Sequence, residues 1–231
     1  MRAYVLCGGF GTRLRSVIQD TQKALVQVHG EPFLMRLLSQ LARAGITEAV
    51  LCAHYRAEQV AEQLDALASN SGISLRLVIE QTPLGTGGAL LNALQEEPAQ
   101  GRYLVLNADT YLDAAAYQQI MSGSGNAVLA VQVEDRSRYG SLSLDADGFL
   151  LALQEKGHEG AGLINAGVYA FEPEAHASRL VRACSLERDL LPELLAQTNV
   201  AVIEYSGRFI DIGTPESLER YANDFQADDA R

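Results

Sequence analysis

Lysine is nearly missing from this 231-residue chain: of its 18 basic side chains, only Lys23 and Lys156 are ammonium groups. Positive charge is scarce altogether. The formal net charge of -11 at pH 7 excludes a broad basic face for nucleic acid, because such binding is driven by release of counterions from phosphates. An anionic small molecule must then meet its cations locally. Cys7, Cys52 and Cys184 are odd in number and lack metal-type spacing, which excludes a disulfide framework and reads as reduced core residues. No apolar run approaches the roughly 20 residues needed to cross a bilayer, so no membrane partner is expected. The N-terminus enters a strand-like run without the charged, apolar and small-residue regions of a signal peptide, so a cytoplasmic location is expected. Repeats, low-complexity tracts and linkers are also missing, so residues 1–226 read as a single domain, with 227–231 a frayed tail.

What is present is a glycine loop, LCGGFGTRLRS, with Lys23 a short distance behind it. Leu6 and Cys7 end an apolar run, AYVLC, that reads as a buried strand. Gly8, Gly9 and Gly11 then leave no side chain between backbone amides and an approaching phosphate. Thr12, Arg13 and Lys23 add a hydroxyl and two cations, a set suited to holding a triphosphate and neutralising charge that builds during attack on it. Two better-known loops do not fit. A dinucleotide fingerprint needs a small residue where this chain has Leu14, and a P-loop needs Gly-Lys-Ser/Thr.

Along the chain, FLMRLLSQLARAG has helical apolar spacing, AVLCA reads as a strand, RAEQVAEQLDALA as a helix and LRLVI as a strand. Two strand–helix–strand crossovers in succession predict a parallel α/β sheet. EQTPLGTGGALLNAL places Gly85 and Thr86 between a strand end and a new helix, a second loop for close approach of a phosphate or base. YLVLN follows as a strand, with Asp109 just past its carboxyl end, where open α/β sheets put their ligands. Taken alone, Asp109 is an ordinary loop residue. The second half changes texture: short strands separated by turn signals such as Asp147-Gly148 predict antiparallel members or a small β extension. LERDLLPELLAQ reads as a helix, and Thr214 and Pro215 read as the cap and first turn of a last one.

CGGFGTRL, Lys23, PLGTGGAL, NADTY, RYGSL, EKG, INAGVYAF and FIDIGTPE, taken in order, resemble the motif series of the sugar-1-phosphate nucleotidylyltransferases, the sugar-nucleotide pyrophosphorylases. Each motif is weak alone, but the ordered set runs from about Ala3 to Ala222. Within that family the wording is most similar to bacterial D-glycero-D-manno-heptose 1-phosphate guanylyltransferases. The resemblance implies the nucleotide-diphospho-sugar transferase fold: a mostly parallel, Rossmann-like sheet flanked by helices, with a small antiparallel extension. It also implies transfer of a nucleoside monophosphate from a triphosphate, GTP in the favoured reading, to a sugar 1-phosphate, with pyrophosphate released. By family position, Leu6, Gly8, Gly9, Gly11, Thr12, Glu80, Gly85 and Thr86 would bind nucleotide, and Arg13 and Lys23 would be catalytic. Tyr139, Gly140, Glu155, Lys156 and Asn165 would bind the sugar phosphate, and Asp109 and Asp211 would hold Mg²⁺.

Three positions depart from the family pattern: Cys7 for alanine, Ala108 for glycine, and Gln22 for the proline before the lysine. The first two are small-for-small. Gln22 loses a rigid turn, so a less secure Lys23 is expected. A sugar phosphate is already ionised at neutral pH and needs no general base. His29, His54, His158 and His176, which show no ligand or triad spacing, therefore read as surface or loop residues. Other acceptors and bases within the family remain open, mannose 1-phosphate with GTP, or glucose or N-acetylmuramic acid 1-phosphate with UTP or dTTP, as does a non-catalytic nucleotide-sugar sensor. A nicotinamide-dependent oxidoreductase fails on Leu14 and on Gly11-Thr12-Arg13.

Overall fold

The computed structural model describes residues 1–18, 20–154 and 156–226. Its organising strand is β1 (Arg2–Leu6), a run apolar on both faces and therefore suited only to the middle of a covered sheet. A 3₁₀ turn at Thr12–Leu14 leads into the short α1 (Arg15–Ile18). A second 3₁₀ turn, Lys23–Leu25, precedes the ribbon β2 (Gln27–Val28) and β3 (Glu31–Pro32). Then come α2 (Phe33–Arg43), β4 (Glu48–Ala53), α3 (Ala57–Ser71), β5 (Ser74–Ile79) and α4 (Gly85–Glu96). β6 (Tyr103–Asn107), β7 (Thr110–Leu112) and α5 (Ala114–Ser122) close the first half.

The second half supplies β8 (Asn126–Val133), β9 (Ser141–Leu144), β10 (Leu150–Gln154) and the long β11 (Gly162–Phe171). After them come α6 (Leu191–Leu195), β12 (Val200–Tyr205), β13 (Phe209–Asp211) and α7 (Pro215–Gln226). β5, β4, β1 and β6 are parallel neighbours, as the crossovers predicted, and β11 joins β6 antiparallel. β8 and the β9/β10 hairpin extend the sheet from β11, and β12 pairs parallel with β8. The expected antiparallel extension is therefore real.

Strand alternation splits the core into two layers. Ala3 and Val5 of β1 face α2, α3 and α5, whereas Tyr4 faces α4 and the helices of residues 186–194. A third, smaller cluster lies under the glycine loop. There Leu14 and Ile18 pack with Phe33, Tyr111, Ile210, Ile212, Leu218 and Tyr221, so the last helix supports the first loop. Thr214 caps α7 as expected, its Oγ1 accepting the Ser217 amide at 3.3 Å.

Two details differ from the sequence reading. LERDLLPELLAQ is not one regular helix: residues Leu186–Leu190 form a π-helical turn before α6. Pro192 has no N–H to donate in an α-helical ladder, which is the physical reason for the irregular start. β11 is also bulged between Asn165 and Tyr169. Gly167 carries φ +71 there, and a Cβ on it would stand 2.6 Å from Asn107 Nδ2, so only glycine lets the bulge meet the end of β6.

Candidate active site

β1 ends at Leu6, and the chain opens at once into a cavity of about 390 Å³. It is lined by Leu6, Gly8, Gly9, Gly11, Thr12, Arg13, Lys23, Glu80, Gly85 and Thr86, which are all the residues expected to meet nucleotide together with the two expected cations. Burial raises the pKa of Glu80, and the Leu84 amide, which donates to Oε2 at 2.8 Å, partly offsets that. Cys7 is buried, its thiol pushed up to about 12 by desolvation, and all three cysteines are free. They are inert core residues.

A second cavity of about 360 Å³ adjoins the first. Tyr139, Gly140, Lys156, Asn165 and Asp211 line it, and Arg13, Asn107 and Asp109 line both. The ring of Tyr139 stands edge-on to Phe209, with centroids 5.7 Å apart. Asn165 is engaged in shaping the bulge: its Oδ1 accepts the Gly167 amide at 2.9 Å and its Nδ2 donates to the Tyr169 hydroxyl at 2.6 Å. Glu155 lies outside the described residues.

Where the cavities meet, β6 stops at Asn107 and β7 begins at Thr110, so Ala108 and Asp109 turn out of the sheet. β13 pairs with β7, setting Asp211 opposite Thr110, and the Ile212 amide donates to the Asp109 carbonyl at 2.9 Å. Two aspartates about a hundred residues apart in sequence are thereby neighbours. Lys23 Nζ pairs with Asp109 Oδ2 at 2.5 Å. Burial, then the Asp109 carboxylate, push the Asp211 pKa up, and Lys23 partly offsets them. The described residues hold no group of three or more histidine, cysteine or acidic ligands, so a cation here would rest on this carboxylate pair.

A family model described as Nucleotidyl transferase matches residues 2–228. The chain belongs to the nucleotidyl transferase family. A mannose-1-phosphate guanylyltransferase catalytic subunit beta of Drosophila melanogaster is 33% identical over 227 residues, but this chain spans only 60% of that relative's length. D-glycero-alpha-D-manno-heptose 1-phosphate guanylyltransferase of Campylobacter jejuni is 31% identical, with 96% of this chain and 98% of the relative covered. The crystal structure of HddC from Yersinia pseudotuberculosis superposes with a TM-score of 0.84 at 34% identity, over 97% of this chain and 99% of that one. HddC complexed with GMP-PN matches with the same TM-score.

Within this nucleotidyl transferase, several expectations need correcting. Gln22 does not loosen the Lys23 turn: it is buried, and its Nε2 donates to the Cys7 carbonyl. Its backbone N–H, which a proline would lack, donates to Gln59 Oε1 at 2.7 Å. His176 is not a surface residue. It is 3% exposed, bonded through Nδ1 to the Tyr103 hydroxyl at 2.8 Å, and burial lowers its pKa to about 4. His54 lines the first cavity, its Nδ1 3.1 Å from the Glu80 carbonyl, whereas His29 and His158 are exposed as expected.

The glycines after Pro83 also do more than open a loop. Gly85–Gly88 form the first turn of α4, and the Gly87 and Gly88 amides both donate to the Cys184 carbonyl, at 3.0 and 3.1 Å. A Cβ at Gly88 would stand 2.4 Å from the Arg182 carbonyl oxygen. This close approach brings Ser185, Glu187 and Arg188, which sequence reasoning missed, to the second cavity. The spacing of LERDLLPELLAQ predicts a helix, and nothing in it marks Glu187 as a cavity residue.

Proposed function

We propose that this protein transfers a guanylyl group from GTP to a sugar 1-phosphate, with D-glycero-D-manno-heptose 1-phosphate the favoured acceptor, and releases pyrophosphate. The observation that carries the reading is the pair of cavities joined at Arg13, Asn107 and Asp109. One cavity has the glycine loop for a triphosphate, and the other has Lys156, Tyr139 and Asn165 for a phosphorylated sugar. The GMP-PN complex of HddC and the named activity of the Campylobacter relative, matched over nearly their full lengths, favour guanine and the heptose.

In the reaction, an oxygen of the acceptor phosphate attacks the α-phosphorus in line. A new phosphorus–oxygen bond forms while the bond to the β-phosphate oxygen breaks, and the electron pair leaves with pyrophosphate. No proton needs to move, because the acceptor phosphate is already ionised at neutral pH; among the described residues no histidine lines both cavities. The obstacle is the meeting of two polyanions. Arg13 at the junction and Lys23 beside it supply fixed positive charge where negative charge builds, and Lys156 holds the acceptor phosphate as a point charge.

Asp109 and Asp211 fit a hard divalent cation. Both offer only oxygen donors, and burial and the Asp109 carboxylate raise the Asp211 pKa even though Lys23 and Lys156 offset them, so the pair has room for further positive charge. Mg²⁺ is the ion of that class which keeps substrate phosphates and waters as its remaining ligands. When bound it would screen phosphate charge and polarise the phosphorus–oxygen bonds. Mannose 1-phosphate is the second acceptor reading, favoured by the 33% identity to the mannose-1-phosphate enzyme. A panel of GTP, UTP, dTTP and CTP crossed with heptose, mannose and glucose 1-phosphates, read by pyrophosphate release, tests the proposal. Highest kcat/KM with GTP and the heptose phosphate is expected. Preference for another base or for glucose would overturn it.

A further inference from the structure

We propose that Gln22 is a positioning residue for Lys23, holding the lysine from behind by tying its turn to the glycine loop on one side and to α3 on the other. The inference rests on the reading of Lys23 as the ammonium that serves the triphosphate. Gln22 is 1% exposed and lines the first cavity. Its side chain spans two elements: Nε2 donates to the carbonyl of Cys7, where β1 becomes the loop, and Oε1 accepts the Ala24 amide at 2.6 Å. Its own N–H donates to Gln59 of α3 at 2.7 Å. That helix and Arg56 just before it also grip Asp20, two residues ahead of Gln22. Gln59 Nε2 donates to the Asp20 carbonyl at 2.8 Å, and Arg56 pairs with the Asp20 carboxylate at 2.8 Å.

The residue after this clamp is Lys23. Its stem lies against Gly11, where an added Cβ would be 3.3 Å from the Lys23 Cβ, and its ammonium reaches Asp109. A lysine stem is long and flexible, so a single ammonium can be aimed only if the backbone beneath it is fixed. A buried polar group with its partners satisfied rigidifies in just this way. The Gln22 backbone, at φ -61 and ψ 135, has the φ that a proline ring would impose. Hydrogen bonds take the place of the ring here, and they add a link to Cys7 that proline could not make.

Because the chain has only two lysines, amine acylation followed by peptide mass spectrometry reports Lys23 against Lys156 as an internal reference, with no substrate present. Gln22→Ala is expected to raise the Lys23 to Lys156 labelling ratio several-fold. It should also lower kcat roughly tenfold while both KM values stay within about twofold, with the circular dichroism of a folded protein. Gln59→Ala, at a residue lining neither cavity, should shift both readouts the same way but less. A labelling ratio equal to wild type in folded Gln22→Ala overturns the proposal; should that variant not fold, an unchanged ratio in Gln59→Ala does so. If no sugar phosphate is turned over, the labelling ratio still answers, which separates this inference from the reading of the reaction.

Discussion

Thr86 and Glu187, a hundred and one residues apart in sequence, share a hydrogen bond across the wall between the two cavities: Thr86 Oγ1 donates to Glu187 Oε2 at 2.9 Å. The same hydroxyl accepts the Leu186 amide at 2.8 Å, and the Glu187 carboxylate also takes the Ser185 hydroxyl at 3.0 Å. Thr86 belongs to the first cavity and Glu187 to the second, so one seam supports both. Thr86→Val keeps the shape, removes the hydroxyl and leaves the Leu186 amide unpaired. The cost should be about 1–3 kcal/mol of stability. Initial rates should show the KM for nucleotide and the KM for sugar phosphate rising together. A change in only one of them would mean that the walls are independent.

Replacing Asp109 or Asp211 by asparagine keeps size and removes charge. Turnover should fall by orders of magnitude in either variant, because the proposed cation would rest on this carboxylate pair, with Asp109 lining both cavities and Asp211 the second. The Asp211 pKa is raised by burial and by Asp109, so ionised Asp211 costs stability in metal-free protein. In chelator, Asp211→Asn should therefore melt no lower than wild type. Full activity of either variant, or of wild type in excess chelator, would remove the pair from the mechanism.

The extent to which the sequence disclosed this site follows from what each residue's signal depends on. Arg13 and the glycines were legible because they sit within one short loop, where spacing alone states a phosphate cradle, and Lys23 because it follows that loop closely as one of only two lysines. Asp109 and Asp211 were legible only through motif order. Their meeting depends on β13 pairing with β7, a contact between three-residue strands that no periodicity announces. Glu187 was not legible at all, since its place at the cavity comes from Cys184 docking on glycines of α4 nearly a hundred residues earlier. His176 misled for a related reason. A histidine among polar loop residues looks exposed, and only the fold sets it against Tyr103 and Phe171.

That buried histidine gives the protein a calculable weakness to acid. His176 has a folded pKa near 4 against an ordinary value of 6.5, because burial disfavours the imidazolium. Between those values the unfolded chain binds more protons than the folded one. Stability is therefore retained above about pH 6.5 and drains away as the pH falls toward about 4, by up to roughly 3 kcal/mol from this group. His176→Gln removes the titration. Urea unfolding of the two proteins between pH 7 and pH 5 should show wild type losing stability faster than the variant on acidification. Parallel curves would show that His176 does not titrate across the transition.

Glu80→Gln tests the base preference through a single amide flip. Glu80 is 6% exposed, and its Oε2 already accepts the Leu84 N–H at 2.8 Å, while Oε1 faces Gly8 across the cavity wall. An ionised carboxylate only accepts hydrogen bonds, and guanine presents two adjacent donors, N1–H and the N2 amino group, so the two are complementary. Uracil and thymine would put carbonyl oxygens against the same carboxylate. In Glu80→Gln the Leu84 amide again requires an acceptor, so the carbonyl oxygen of glutamine must turn to it and the NH₂ must face the cavity. That amide group then meets guanine donor to donor, but it can donate to a carbonyl of uracil or thymine. The variant should lose kcat/KM for GTP by roughly 10²- to 10⁴-fold, the range over which a site built for one hydrogen-bond pattern rejects another, and should gain on UTP or dTTP. Competition kinetics with mixed triphosphates measures the ratio directly. A wild type that prefers UTP, dTTP or CTP, or a glutamine variant that keeps its preference for GTP, would place the base reader somewhere other than Glu80.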